Sequence, residues 1–223
     1  MKAKLKARIL ARLATLLAVV LIGCVVPQQA FAKHPKPAPA ASAPTASAVE
    51  VRIAMRKLWE DHITYTRNYI ISALADLPDA DAIAKRLLSN QDDIGNAIKP
   101  YYGEDAGNKL AELLRQHIMI ATEVVKAAKA GNKQQLDDAQ KKWSANGKDI
   151  AAFLSNANPN WQKKDLEDML QKHLDLTSGE VVGRLKKDWA ADIKSYDDGH
   201  AHMLMFADTL TNGIARQFPD KFK

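Results

Sequence analysis

The chain has 223 residues, with 32 lysines and arginines against 26 acidic residues and a formal net charge of +6. Five of the basic residues and none of the acidic ones lie within residues 1–32, so 27 basic residues face 26 acidic ones from Lys33 onward. A nearly neutral domain lacks the positive surplus of nucleic-acid-binding proteins, and we expect no nucleic-acid partner.

Residues 1–32 have the three parts of a secretory signal peptide. They comprise a basic start, an apolar run over about residues 13–26, and a small-residue site ending at Ala32. The apolar run is shorter than the roughly 20 residues that a membrane-spanning helix needs. We therefore predict cleavage after Ala32 and an exported, periplasmic protein.

Residues 21–24, Leu-Ile-Gly-Cys, offer a second interpretation of the same region. They match a lipobox, which would make Cys24 the first mature residue and attach a lipid to it. The protein would then be a membrane-anchored lipoprotein, and this anchor is the only membrane contact that we predict. Cys24 is the only cysteine of the chain, so the mature protein has no disulfide.

Residues 33–48 contain four prolines and six alanines and no bulky apolar side chain. Such a segment cannot bury enough surface to fold, so we predict a disordered Pro/Ala-rich linker. The folded domain is predicted to cover residues 49–219. Its length is sufficient for a single hydrophobic core.

This domain has helical periodicity, with apolar residues three and four positions apart and no alternating strand pattern. The predicted fold is all-α, an antiparallel four-helix bundle with additional short helices. The four long helices are predicted at about residues 49–76, 104–130, 132–156 and 177–218. The short ones are predicted at about residues 80–89, 91–99 and 162–174.

Helix boundaries are marked by residues that favour helix ends. Gly131 suits the left-handed conformation of a helix terminus, and Asn132 with Gln135 forms a capping-box pattern. Thr177 with Glu180 repeats that pattern and predicts the start of the last long helix.

Each predicted long helix places one polar residue on its apolar face. A bulky residue three positions earlier would shield it from water, as Trp59, Trp143 and Trp189 do in three of the four cases. A buried polar group without a partner costs roughly 1 to 3 kcal/mol, so these groups should satisfy one another, a water or an ion. The four polar residues are His62, His117, Asn146 and Asp192.

Three interpretations of this polar layer stay open. It could be a hydrogen-bonded layer that fixes the register of the helices. It could be a divalent-metal or acid–base site in which His62, His117 and Asp192 act, with Asn146 and Tyr196 orienting what binds. It could also be a small-ligand pocket without metal. No phosphate-binding glycine loop and no Ser-His-Asp pattern is present, so the sequence points to a binding or interaction module rather than to an enzyme.

The segments "LWEDHI", "LLRQHI" and "MLQKHL" place His62, His117 and His173 in one pattern, with spacings of 55 and 56 residues. The pattern is compatible with an internal repeat. In the predicted helix 162–174, however, His173 falls in the last turn, where an imidazolium suits the helix dipole. The predicted layer therefore does not include His173.

Four segments together resemble a family of small exported bacterial helical proteins. They are "LWEDHITYTRNYIISALADLPD", "IKPYYG", "HIMIATEVVKAAKAGN" and "KKWSANGKDIAAFL". Members of that family often carry labels such as glycosyltransferase or acetylglutamate kinase. Those labels imply nucleotide-binding α/β folds, which an all-helical chain cannot form. The resemblance implies a helical exported protein and no particular activity.

Overall fold

The structure is a computed structural model that describes residues 46–222. Six long helices make up nearly all of these residues. The helices are α1 (Ala46–Leu74), α2 (Ala80–Tyr102), α3 (Glu104–Lys129), α4 (Lys133–Ala157), α5 (Lys163–Leu185) and α6 (Trp189–Gln217). A 3₁₀ turn, Pro219–Phe222, follows. The all-α bundle is confirmed. The predicted signal peptide, Cys24 and the linker up to residue 45 lie outside the described residues.

The helices pack as three hairpins, α1–α2, α3–α4 and α5–α6, arranged in a closed ring. Each helix packs against the next one in the chain, and α6 packs against α1. The three odd-numbered helices also contact one another across the centre of the ring. The odd-numbered helices, one from each hairpin, therefore meet at the centre, and α2, α4 and α6 also contribute buried side chains to the core.

Two predicted helix boundaries are wrong. The segments 80–89 and 91–99 form one helix, because Asn90 and Gln91 are buried and donate to carbonyl oxygens of Leu58 and Leu87 instead of ending the helix. The side chains of these residues gain tertiary partners that the sequence pattern does not reveal.

The predicted boundary at Thr177 is the second error. Residues 163–185 form one helix, α5, within which the Thr177 hydroxyl donates to the His173 carbonyl oxygen at 2.9 Å. Glu180 pairs with Arg67 rather than with a helix terminus. The last long helix begins only at Trp189, where the Asp188 side chain accepts a hydrogen bond from the Ala191 amide at 3.1 Å.

The three hairpin tips share one backbone geometry. Asp76, Gly131 and Lys187 have φ values of 54°, 65° and 58°, and they are 55 and 56 residues apart. At each tip the next amide donates to the carbonyl five residues earlier, in Schellman geometry; for Asp188 and Gly183 the distance is 2.9 Å. The predicted end at Gly131 and the predicted cap at Asn132 are confirmed, since Asn132 Oδ1 accepts from the Gln135 amide.

The same spacing runs through the core of the bundle. In α1, α3 and α5 alike, a histidine is buried, and so are the residues seven and three positions before it and eight positions after it. The described part of the chain, residues 46–222, is thus a threefold repeat of one helical hairpin. The corresponding buried sets are Met55, Leu110 and Leu166; Trp59, Leu114 and Leu170; His62, His117 and His173; Ile70, Val125 and Val181.

Candidate functional site

Three histidines meet where α1, α3 and α5 come together. His62, His117 and His173 are exposed by only 1%, 3% and 3%. The ring centroid of His173 lies 5.5 Å from that of His62 and 5.8 Å from that of His117, so His173 is the central member. His62 and His117 were predicted for this layer, and His173, left out on the evidence of a wrong helix boundary, belongs to it.

Each histidine has a polar counterpart 29 residues later, on the second helix of its hairpin. Gln91 Nε2 lies 3.3 Å from His62 Nδ1, and Asn146 Oδ1 lies 2.7 Å from His117 Nδ1. The position equivalent to Gln91 and Asn146 in the third hairpin is His202. Its Nε2 lies 2.8 Å from the carbonyl oxygen of Met169, four residues before His173. Asn146 Nδ2 likewise donates to the carbonyl oxygen of Leu113, four residues before His117.

The tautomer of His117 follows from its partners. Trp143 Nε1 donates to His117 Nε2 at 3.0 Å, so that nitrogen carries no proton. The amide nitrogen of Asn146 is engaged with Leu113, which turns Oδ1 towards His117 Nδ1. His117 is therefore neutral, protonated on Nδ1, and both of its ring nitrogens are used by protein groups.

Burial holds the other histidines in the neutral form as well. Burial lowers the pKa of His117 to about 4 and that of His62 to about 3, and in His62 the neighbouring His117 lowers it further. The pKa of His173 is lowered well below its usual value by burial and by His62 and His117. Desolvation disfavours a proton on any of the three imidazoles, and a charge on one of them would further disfavour a charge on its neighbours.

The cavity beside the histidines is small. It has a volume of about 20 Å³ and is lined by all three histidines and mostly by apolar groups. Such a volume holds about one water molecule. His173 Nδ1 and Thr66 Oγ1, both on the cavity wall, are buried without a hydrogen-bond partner among the described protein atoms. A cavity of this volume is too small for a ligand larger than about one water molecule.

Asp192 and Tyr196, predicted as members of the same layer, lie in a different group nearer the tips. Both oxygens of Asp192 are engaged by Arg67, and Oδ2 also accepts from Arg184 at 2.9 Å. The guanidinium of Arg67 lies 5.1 Å from the ring centroid of Tyr196. The predicted four-residue layer is therefore two groups: a neutral histidine layer with Asn146, and a charged cluster around Asp192.

The predicted metal set is not assembled. His117 has no ring nitrogen left for a metal, and Asp192 is neutralised by two arginines. Among the described residues, no group of three His, Cys, Asp or Glu side chains is arranged to hold a metal ion. Sequence reasoning missed Arg67 and Arg184 as partners of Asp192, and Glu180 as a second partner of Arg67, because these pairs depend on the α5–α6 hairpin that the boundary error at Thr177 concealed.

The charged cluster is buried and joins α1, α5 and α6. The side chains of Glu180 and Asp192 are 4% and 2% exposed, and Arg67 contacts both. Burial raises the pKa of Glu180 to about 7, although the hydrogen bond from Arg67 opposes the shift. Because Asp192 lies in the first turn of α6 and Arg184 in the last turn of α5, the cluster fixes the tip between them to α1.

That tip differs from the other two in its surface. Val182, Leu185, Trp189 and Ile193 are between 41% and 52% exposed. We call these four residues, with Lys186 and Lys187, the third tip. Trp189 was predicted to shield Asp192 inside the bundle; it lies on the surface instead, because α6 begins there rather than at Thr177. The guanidinium of Arg184 lies 5.5 Å from its ring centroid.

The internal repeat shows that the fold does not require these apolar residues. In the second tip the positions equivalent to the four apolar residues are all charged: Lys126, Lys129, Lys133 and Asp137. In the first tip the equivalent of Leu185 is Leu74, which is partly buried and packs on a small core cluster with Tyr69 and Ile70. The first tip exposes one large apolar side chain, Leu77 at 43%, whereas the third tip exposes four.

Comparisons of the chain with family models, with curated proteins and with solved structures find no match. Membership of the exported helical family therefore remains a prediction from the four segments quoted above. Within residues 46–222, none of the helices combines the length and apolar character needed to cross a membrane.

Proposed function

We propose that the protein is an exported, non-catalytic binding module whose contact surface is the third tip. One observation carries this proposal: four apolar side chains stand exposed at positions where the second repeat of the same fold has four charges. Exposed apolar groups that a fold does not need are typical of interaction sites, and tryptophan is enriched among the residues that dominate binding.

The histidine layer supports the proposal because it leaves little room for a substrate. Its cavity holds about one water, and the two ring nitrogens of His117 are occupied by Trp143 and Asn146. The layer resembles the buried hydrogen-bonded layers that fix helix register. It is a structural element of the module under this proposal, rather than a place where a substrate is turned over.

Export rests on residues 1–32, whose basic start, apolar run and Ala-Phe-Ala site form a signal peptide. The mass of the mature protein from its native cells tests this part. An N-terminus at Lys33 would support a free periplasmic protein, and a diacylglyceryl group on Cys24 would support the lipoprotein alternative. A chain that keeps Met1 and all the residues after it would refute export.

Photo-crosslinking tests the contact surface. A diazirine amino acid is placed at position 189, or at position 133, the equivalent position of the second tip, and the protein is expressed in the cells that naturally produce it. Irradiation should give adducts at position 189 and few or none at position 133. Their masses identify the partner as a lipid or a protein. Equal yields at the two positions, or none at either, would refute the third tip as the contact surface.

A further inference from the structure

The composition of the third tip indicates what kind of partner it contacts. We infer that the third tip docks on a bilayer surface that contains anionic phospholipids, inserting Trp189 and Leu185 while Lys186 and Lys187 contact the head groups. The inference rests on the proposed function, because it names the partner of the same surface.

The shape of the tip favours a surface over a groove-forming partner. Residues 185–191 are all exposed, and they form the turn between two helices. The side chains of such an exposed turn can enter the boundary between head groups and acyl chains, where tryptophan beside lysine is the preferred combination.

Charge selects an anionic surface. Lys186 and Lys187 replace Ala130 and Gly131 of the second tip, and neither lysine forms an ion pair within residues 46–222. Asp188, the acidic residue between them and Trp189, accepts the hydrogen bond that caps α6. Lysines next to apolar groups at a surface contribute strongly to binding of negatively charged membranes.

The conformation of Lys187 is a second indication. Its φ of 58° is one that glycine adopts without strain and that the second tip meets with Gly131. A lysine here costs about 1 to 2 kcal/mol of backbone strain relative to glycine, and the first tip adopts the same conformation with Asp76. Attraction of Lys187 to a negative surface would offset this cost.

The base of the tip is rigid. Asp192, one turn into α6, is bound by Arg67 of α1 and by Arg184 of α5, and Arg184 also stacks on Trp189. The apolar side chains are therefore presented by an ordered corner, and little conformational entropy is lost when they insert.

Tryptophan fluorescence tests the inference selectively. Of the four tryptophans, Trp59, Trp143 and Trp161 are at most 3% exposed, and Trp189 is 52% exposed. Acrylamide quenching therefore reports mainly on Trp189. The purified mature protein is mixed with vesicles of phosphatidylcholine alone, or of phosphatidylcholine with phosphatidylglycerol. We expect a blue shift and protection from acrylamide with the phosphatidylglycerol vesicles only.

Two charge variants sharpen the test. Lys186→Gln/Lys187→Gln should weaken vesicle binding about tenfold or more, since each lysine near an anionic surface is worth a factor of about five. The matched pair Lys148→Gln/Lys172→Gln, on exposed positions of α4 and α5, should bind as the unaltered protein does. A lipid on Cys24 would be present in all of them and would not by itself protect Trp189.

Lys187→Gly keeps the experiment informative if a variant fails to fold, because glycine suits the backbone there. It should lose about fivefold in binding while its stability is unchanged or higher. Equal protection by both kinds of vesicle, or protection that grows with protein concentration in the absence of vesicles, would overturn the inference. No protection with either kind would overturn it as well. A protein adduct at position 189 in cells would then still support the proposed function.

Discussion

Three histidines occupy equivalent positions in the three hairpins, but their partners are not equivalent. Gln91 and Asn146 are amides that can accept or donate, whereas the third position is His202, which is committed to the Met169 carbonyl. As a result His173 Nδ1 has no hydrogen-bond partner within residues 46–222. The repeat thus shows at the level of single atoms where the layer is satisfied and where it is not.

Asn146→Ala is expected to destabilise the protein by about 2 to 3 kcal/mol. It removes the acceptor of the His117 Nδ1 proton and the donor to the Leu113 carbonyl, and both groups are buried. Urea unfolding measures the loss, with Gln140→Ala on an exposed position of the same helix as the control. Nitrogen-15 NMR of the unaltered protein should show His117 protonated on Nδ1. An Nε2–H tautomer would contradict the assignment.

His202→Asn should stabilise the protein by about 1 kcal/mol. Asparagine at this position can donate to Met169 and accept from His173 Nδ1, as Asn146 does for Leu113 and His117. The reverse exchange, Asn146→His, should destabilise the second hairpin. Urea unfolding of both variants measures the two opposite changes in stability. A loss of stability in His202→Asn would show that asparagine cannot make in the third hairpin the contacts that it makes in the second.

At the scale of helices, periodicity predicted α1, α3 and α4 closely and failed at α2 and α5. The three correct helices end at glycine, asparagine or a Pro-containing loop, which are local signals. The two errors came from residues whose partners are distant in sequence: Gln91, which reaches His62, and Glu180, which reaches Arg67. A capping pattern cannot be told from a buried polar pair until the neighbouring helices are known.

The site residues were predicted correctly where the helix that carries them was predicted correctly. His62, His117 and Asn146 were placed on buried faces because their helices were right. His173 was missed although its spacing from His117 was noticed, since a wrong boundary put it at a helix end. Treating the spacings of 55 and 56 residues as a repeat would also have located the tip at Lys187, because Gly131 marks the equivalent position.

The tips allow an exchange experiment at the scale of the element. Lys187→Gly should raise the free energy of unfolding by about 0.5 to 1 kcal/mol, because glycine relieves the strain of a positive φ but also makes the unfolded chain more flexible. Gly131→Lys places a side chain in the same conformation and should lower it by a similar amount. Thermal or urea unfolding measures both. Two changes of the same sign would contradict the equivalence of the tips.

For the whole molecule, the ring of hairpins places its titratable interior groups in two layers with opposite responses to pH. Between about pH 4.5 and 6.5 the unfolded chain would protonate His62, His117 and His173, whereas the fold keeps them neutral. In the same interval the fold holds a proton on Glu180, whose pKa is raised to about 7, and the unfolded chain does not. The unfolded state binds two more protons, so stability falls as pH falls.

The free energy of unfolding should therefore drop by about 2.7 kcal/mol for each pH unit between pH 6 and 5, since each net proton contributes about 1.4 kcal/mol. Urea unfolding at closely spaced pH values measures this slope.

Two variants test the origin of the slope. His173→Leu, which removes one of the three histidine protons, should reduce the slope by about half. Glu180→Gln should steepen it, because the opposing proton is lost. Gln140→Ala, on an exposed position of α4 and without a titratable group, serves as the control and should leave the slope unchanged. A flat profile, or one that rises on acidification, would mean that the three central imidazoles carry charge in the folded protein.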